Sequence, residues 1–376
     1  MHVVLASHRY HPVPGGTERM AQLLAENLVA QGHRATVITQ REPGVPASES
    51  LNGVEVIRLP VRTIAGVRVP SGYREALRRS GGDLFHLHGN RIWCADFYFP
   101  FARSFAWPQL LTGHGFYQYA VHPKPWDRWY FERYLPRALR AFDAYACLTD
   151  HEQRQLEGWG VPTTKLTQIS EGVDLREFES SALSSGEMRR RWGLRAPLVA
   201  VYAGGFFENK RVDRLIEAVA RVRETWGLVL LGRDLPGSPF NAAFCQRRAH
   251  ELGVEVVVRG PVAREELVAS FLSADAVVSA SAYEGFGVTI AEAMAAGRPF
   301  VAWRTGAIGQ MADSGAGFAV ESLDGFVSAL QKLGNADLRS QLGDRGRTAS
   351  VRWSTDTMLA DYLRLYEKML AHHSAA

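Results

Sequence analysis

"HVVLASHRYHPVPGGTERMAQLLAENLVAQGHRATVIT", residues 2–39, decides the fold class. It opens on HVVLAS, a short apolar run that reads as a buried strand. It then turns through Gly15 and Gly16, carries Met20, Leu23, Leu24 and Leu28 on one helical face, and closes on a second strand, HRATVIT. Strand, helix and strand in this order predict a βαβ unit and hence a parallel sheet, whose ligands gather at the carboxyl ends of its strands. Gly15 and Gly16 therefore lie at such an end. A backbone without Cβ atoms permits close approach of a ligand there, and it equally serves a tight turn.

Working outward, the same alternation runs through the chain. Strands are expected at VEVIRL, DLFHLH, PQLLTGH and AYACLT, with a long aromatic helix, WDRWYFERYLPRALRAF, before the last of these. The aromatic residues of that helix read as core, with a membrane or acceptor surface as the alternative. The first domain closes near ISEGVD. The Ser-rich stretch SSALSSGEMRRR, residues 180–191, reads as a linker. A second series follows: strands LVAVYAGG, GLVLLG, EVVVRG, DAVVSAS and RPFVAW interleaved with helices, closed by the amphipathic helix STDTMLADYLRLYEKML. A chain of 376 residues exceeds one ordinary hydrophobic core. The reading is α/β, with two Rossmann-like parallel-sheet domains at 1–175 and 176–355 and a terminal helix at 356–376.

Composition narrows the function. The apolar fraction of 46% and charged fraction of 22% are those of a globular protein. Net charge is +4, and the basic residues are scattered, so no nucleic-acid stripe is implied. Cys94, Cys147 and Cys245 form no CxxC pair, which points to a reducing compartment without structural zinc. No run of about 18 apolar residues occurs, and the amino-terminal apolar run is too short for a secretion signal core. The expectation is a cytoplasmic protein, with peripheral contact at the inner face of a membrane as an extension of it.

The densest chemistry lies in "EGFGVTIAE", Glu284 to Glu292. A strand end, a glycine turn and a helix beginning near Val288 make an anion site, because the first amides of a helix point outward and its dipole favours negative charge. Phosphate would sit at Gly285, Phe286 and Gly287. Glu284 and Glu292 flank that position and would repel phosphate, so hydroxyl groups are their natural partners. Alone, the pair reads equally well as a loop acid and a satisfied helix acid. Lys210 and Arg211, in AGGFFENKR, stand at another strand end and face the same crevice. His114, in TGHG, competes between a sugar hydroxyl and strand-end packing. His86 and His88, in HLHG, share one face by period two, but no third ligand stands at useful spacing, so no metal is expected.

PGGTE, HLHG, TGHG, EGVDLREF, the lysine of ENKR and EGFGVTIAEAMAAGRP occur in the order and spacing of one family. The chain resembles the retaining glycosyltransferases of family 4, over nearly its whole length, and the last of these motifs is the specific one. The resemblance implies a GT-B fold, two Rossmann-like domains facing an interdomain cleft, with the first binding acceptor and the second binding a nucleoside diphosphate sugar, UDP- or GDP-linked. The terminal helix would return to the first domain. It assigns Glu292 to the ribose hydroxyls, Glu284 to the transferred hexose, Lys210 to the diphosphate and His114 to the sugar near its reacting carbon. Gly15 and Gly16, with the amides of Gly285 to Val288, would hold phosphate oxygens. It also implies front-face attack, in which the leaving phosphate takes the acceptor's proton, with no metal and no cofactor beyond the co-substrate. Partners would be the nucleotide sugar and a glycan or lipid-linked acceptor, lined by Arg91, Tyr117, Tyr119 and the aromatic helix.

Four departures qualify it. Gly205 stands where many relatives have arginine, Arg211 where glycine is common, and Glu171 where asparagine is frequent. RTGAIGQMAD replaces a GGxxE pattern, leaving Gly309 and Gln310 without a role. The alternative reading is a degenerate, non-catalytic nucleotide-sugar-binding protein. A nicotinamide-dependent oxidoreductase is excluded, because no GxGxxG follows a strand.

Overall fold

The computed structural model describes residues 1–13, 15–64, 67–89, 98–116, 128–179 and 183–374. Contacts divide the chain into two units, Met1–Gly172 with Thr355–Ala376, and Val173–Ser354. The first unit carries strands β1 (His2–Ser7), β2 (Arg34–Gln40), β3 (Ser48–Leu51), β4 (Val54–Leu59), β5 (Val61–Ile64), β6 (Val67–Pro70), β7 (Leu84–His88), β8 (Gln109–Thr112), β9 (Ala144–Cys147) and β10 (Leu166–Gln168). Eight of them form one sheet in the order β10-β9-β8-β7-β1-β2-β4-β3, while β5 and β6 pair as a separate hairpin. All pairings of the large sheet are parallel except β3 with β4.

Period-two alternation sorts β1 between two cores: Val3 and Leu5 enter one, Val4 and Ala6 the other. Helices Gly16–Ala30 and Thr355–Ser374 cover the first face, with Met20, Leu24, Leu28, Met358, Tyr362, Tyr366 and Met369 buried there. Each buried Leu or Met side chain contributes about 1.5–3 kcal/mol, so the terminal helix is held to this unit by its apolar face. On the other face lie Tyr98, Phe116, Phe131, Leu135 and Phe142.

The second unit has β11 (Leu198–Ala203), β12 (Trp226–Leu231), β13 (Val256–Arg259), β14 (Ala276–Ser279), β15 (Phe300–Trp303) and β16 (Gly317–Val320) in one all-parallel sheet, ordered β13-β12-β11-β14-β15-β16. From β11 the chain winds outward one way through β12 and β13, and from β14 the other way. The gap between the carboxyl ends of β11 and β14 is therefore a topological switch point, where open α/β sheets bind ligands. In the first unit β1 and β7 stand in the same relation.

Some sequence expectations change. Where composition predicts a linker over 180–191, a helix runs from Ser185 to Trp192, capped by Ser184 accepting from the Glu187 amide, with Met188 and Trp192 buried. A serine-rich run that ends in a capped helix start resembles a linker in composition alone. The chain passes between units at 172–173 and 354–355 instead. In the aromatic helix, Phe131, Leu135 and Leu139 are core, but Trp129 is 61% exposed. Arg91, Cys94, Tyr117 and Tyr119 lie outside the described residues. Among the described residues no helix is long and apolar enough to cross a membrane.

Candidate functional site

At the switch point of the second unit, β11 runs into Gly204, Gly205 and a single turn, Glu208–Lys210. β14 runs into Glu284 and the turn that opens helix Val288–Ala295. Lys210 Nζ donates to Glu284 Oε1 at 2.7 Å, with the two side chains 19% and 20% exposed. The loops are also tied through Asn209, whose carbonyl accepts from the Ala282 amide at 2.8 Å and whose Nδ2 donates to the Tyr283 carbonyl at 3.0 Å.

Gly287, at the head of the helix, has φ 110°, a left-handed value that favours glycine, and an added Cβ would stand 3.1 Å from Ile308 Cγ1. The first amides of any helix lack intrahelical acceptors, so those after Gly287 are presented at the switch point. Thr289 Oγ1 donates to the Ala203 carbonyl at 3.3 Å, joining the helix start to β11. Phe286 is buried and anchors the turn, so it can offer a ligand only its backbone. Behind the turn, Thr305 Oγ1 accepts from the Glu284 amide at 3.2 Å and the Ala307 amide donates to the Phe286 carbonyl at 3.1 Å. A Cβ on Gly306 would stand 2.6 Å from the Glu284 carbonyl, so the RTGAIG stretch buttresses the acidic turn.

Glu292 is buried in the helix and pairs with Arg264, Nη1 to Oε1 at 2.5 Å. Arg264 also donates to Glu177 Oε2 from Nε at 2.9 Å and from Nη2 at 2.5 Å, and its guanidinium lies 5.5 Å from the Phe178 ring centre. Burial disfavours the Arg264 charge, but Glu292 and Glu177 outweigh it and raise its pKa above the ordinary arginine value. Both flanking acids thus have a cation, which lessens their repulsion toward an anion at the helix start. Sequence reasoning missed Arg264. The available signal was a cation at the first position of REELVASFLS, a helix start where positive charge is disfavoured unless it pairs off the helix.

Arg211 is placed differently from Lys210. Its Nε donates to the Ala280 carbonyl at 2.7 Å and its guanidinium sits 4.7 Å from the Trp303 ring centre. Burial, then Arg214, lowers its pKa.

In the first unit, Gly15 heads helix Gly16–Ala30, and a Cβ there would run into the Glu18 carboxylate, while Gly16 faces open space. His86 and His88 lie on one face of β7 with ring centres 4.0 Å apart. His86 bonds Tyr366 from Nδ1 at 2.7 Å and Thr112 from Nε2 at 2.8 Å. His88 Nδ1 meets His114 Nε2 at 2.9 Å, and His114 Nδ1 meets Glu171 Oε1 at 2.8 Å, with His114 and Glu171 side chains 4% and 8% exposed. Burial holds His86 and His88 neutral, well below the ordinary imidazole pKa, with neighbouring imidazoles adding to the shift. With the carboxylate accepting, Nδ1 of His114 carries its proton, and in the neutral ring Nε2 accepts from His88. Both ring nitrogens of His114 are therefore engaged inside this unit, at a left-handed φ of 55°. Among the described residues no group of three or more His, Cys, Asp or Glu side chains could hold a metal ion.

The structure thus brings Lys210, Glu284, Gly285, Gly287 and Val288 together, adds Arg264 beside Glu292, and sets Arg211 against Trp303. Comparison with known proteins adds lineage. The family described as "Glycosyl transferase 4-like domain" matches residues 15–172, and "Glycosyl transferases group 1" matches 197–335. A D-inositol 3-phosphate glycosyltransferase of Xylanimonas cellulosilytica is 31% identical over 245 residues, 61% of this chain and 58% of that protein. The chain therefore spans less than two thirds of that relative's length. A sucrose-phosphate synthase structure from Thermosynechococcus elongatus superposes with a TM-score of 0.81 over 99% of both chains at 21% identity. Anabaena HepE in complex with UDP and glucose superposes with a TM-score of 0.79 over 98% of this chain and 100% of that one, at 17% identity.

Proposed function

The chain belongs to the family 4 type of glycosyltransferases with the GT-B fold, and from that premise we propose that it moves a hexosyl unit from a nucleoside diphosphate sugar, UDP- or GDP-linked, to a hydroxyl of a glycan or lipid-linked acceptor, with retention. The observation that carries the reading is the Lys210–Glu284 pair at the β11/β14 switch point, beside the helix opened by Gly287. In this reading the amides from Gly285 to Val288 and the Lys210 ammonium take the diphosphate oxygens, Glu284 takes sugar hydroxyls and Glu292 the ribose diol.

Charge then dictates the mechanism. The bond from the anomeric carbon to the phosphate oxygen breaks, its electron pair stays on the diphosphate, and the sugar gains oxocarbenium character. Lys210 and the helix-start amides stabilise the added negative charge; a pre-organised donor of this kind is typically worth about 2.7–4 kcal/mol. The leaving oxygen takes the acceptor hydroxyl's proton, and the acceptor oxygen bonds the anomeric carbon on the face just vacated. No protein base and no magnesium enter this scheme. The sequence contains no Asp-x-Asp, which agrees with it.

The second reading, nucleotide-sugar binding without turnover, is favoured by Arg211, which turns to Trp303, and by His114, whose ring nitrogens face Glu171 and His88. Nucleoside diphosphate release separates the two. Donors are first screened by thermal shift, then purified protein is given a retained donor with candidate acceptors. Acceptor-dependent release that Lys210→Ala abolishes supports transfer; stoichiometric binding without release supports the binder. Failure of UDP, GDP and ADP derivatives alike to associate at millimolar concentration overturns both.

A further inference from the structure

We infer that Arg264 is a positioning residue for the nucleotide's ribose: it fixes the Glu292 carboxylate by its Oε1 and anchors itself on Glu177, leaving Oε2 of Glu292 to accept from the ribose hydroxyls. The inference rests on the donor-binding reading of Glu292 and goes beyond it in assigning Arg264 and Glu177.

Three observations carry it. A glutamate has a rotatable carboxylate, and a diol site needs that group held in one plane. Only a planar fork with several donors can hold Glu292 through one nitrogen and Glu177 through two others at the same time. Second, Arg264 is positioned from outside its own helix start: Glu177 grips its Nε and Nη2, and its guanidinium carbon lies over the Phe178 ring. Both residues belong to the turn Leu175–Phe178, directly after the point where the chain enters this unit at Val173. That turn is fixed in turn, since the Val173 amide donates to the Trp353 carbonyl at 2.8 Å. Third, burial opposes the Arg264 charge while Glu292 and Glu177 more than offset it, so Arg264 stays a cation between its two carboxylate partners. A lysine could match the charge but not the bridge.

The test compares the affinity of each ribonucleotide, UDP, GDP and ADP, with that of its 2′-deoxy analogue by calorimetry. For the base that binds, the wild-type protein should prefer the ribose form by about tenfold, one charge-assisted hydrogen bond. In Arg264→Lys the ribonucleotide should lose about tenfold in affinity while the deoxy analogue changes less than twofold, so the preference largely disappears. Glu177→Gln, which leaves the Glu292 contact intact but loosens its anchor, should reduce the preference part of the way. In turnover the same variants should raise donor KM with kcat nearly unchanged. A merely structural arginine would weaken both nucleotides equally and leave the ratio at its wild-type value, and that result overturns the proposal. Absence of nucleotide binding by the wild-type protein instead overturns the donor-site reading itself, so the two failures are distinguishable.

Discussion

The two units share one architecture, and each has a switch point, but the polar groups at those points differ in kind. In the second unit they are ion pairs: Lys210 with Glu284, each about a fifth exposed, and the more deeply set Arg264 with Glu292 and Glu177. In the first they form a closed chain of imidazoles, hydroxyls and carboxylate running from Tyr366 and Thr112 through His86, and from His88 through His114 to Glu171. A pair that keeps some access to water, such as Lys210–Glu284, can exchange its partner for a ligand at lower cost than a fully enclosed one. A buried network is costly to break, because each orphaned donor forfeits its solvation. From this contrast we propose ligand chemistry at the second unit's switch point and fold specification by the first unit's network.

The largest expected effect probes the open side. Lys210→Ala should lower diphosphate release by a hundredfold or more, the consequence of losing about 2.7–4 kcal/mol of charge stabilisation. Its melting temperature should stay within about 2 °C of wild type, because the Glu284 carboxylate, a fifth exposed, can be rehydrated. Single-turnover release and a thermal melt check both halves. A large fall in melting temperature would place this pair in the structural class instead.

The closed side should respond the other way. Glu171→Ala leaves the His114 Nδ1 proton buried without its carboxylate, which should cost about 1–3 kcal/mol of stability by denaturant titration. Nucleotide affinity of the second unit should hardly move. If binding falls with little loss of stability, the His114–Glu171 pair belongs to the site and the contrast between the units fails.

These differences were legible in part. Alternation of buried strands and helices revealed the parallel sheets, because β1, β12 and β14 are buried along their whole length and so read as unbroken apolar runs. The spacing of Glu284, Gly287 and Glu292 exposed the turn that opens helix Val288–Ala295, since a glycine before an apolar helix is a local signal. β3, β10 and β16 were not legible: each has three or four residues without full burial, too few for periodicity to register. Arg264 and Thr305 were missed for another reason. Their partners lie 28 and 21 residues away along the chain, and only the folded sheet order brings them together. His86 and His88 were visible as a pair, but the tyrosines that satisfy the cluster come from the terminal helix, 250 or more residues on.

A smaller effect follows from protonation. His86 and His88 have pKa values held below 6.5 by burial, so as pH falls below 6.5 the unfolded chain takes up protons that the folded rings refuse. Stability should be full above pH 6.5 and decline below it, by up to about 1.4 kcal/mol per pH unit for each ring. Glu152 works against this, because burial raises its pKa and its folded carboxyl accepts a proton sooner than the unfolded one. Two rings against one carboxyl still leave acid destabilising. Denaturant midpoints at pH 7.5 and 5.5 measure the slope, and His88→Asn should flatten it; an unchanged slope would mean that these rings are already protonated in the fold.

The smallest effect is the sharpest test of the contrast, because it concerns adjacent residues. Lys210 and Arg211 are neighbours in sequence, and by charge alone either could serve a diphosphate. Arg211 has φ 45° and stacks its guanidinium on Trp303, whereas Lys210 points to Glu284. Arg211→Gly would relieve about 1–2 kcal/mol of left-handed strain and forfeit a cation–π contact of about 0.5–2 kcal/mol, together with the bond to the Ala280 carbonyl. These changes nearly cancel, so stability should shift by less than about 1 kcal/mol. Nucleotide diphosphate affinity should stay within about twofold, against at least tenfold for Lys210→Ala, a difference of about 1.4 kcal/mol or more that calorimetry resolves. A tenfold loss in Arg211→Gly would mean that the guanidinium leaves Trp303 when ligand arrives, and that the second unit brings two cations to the phosphate rather than one.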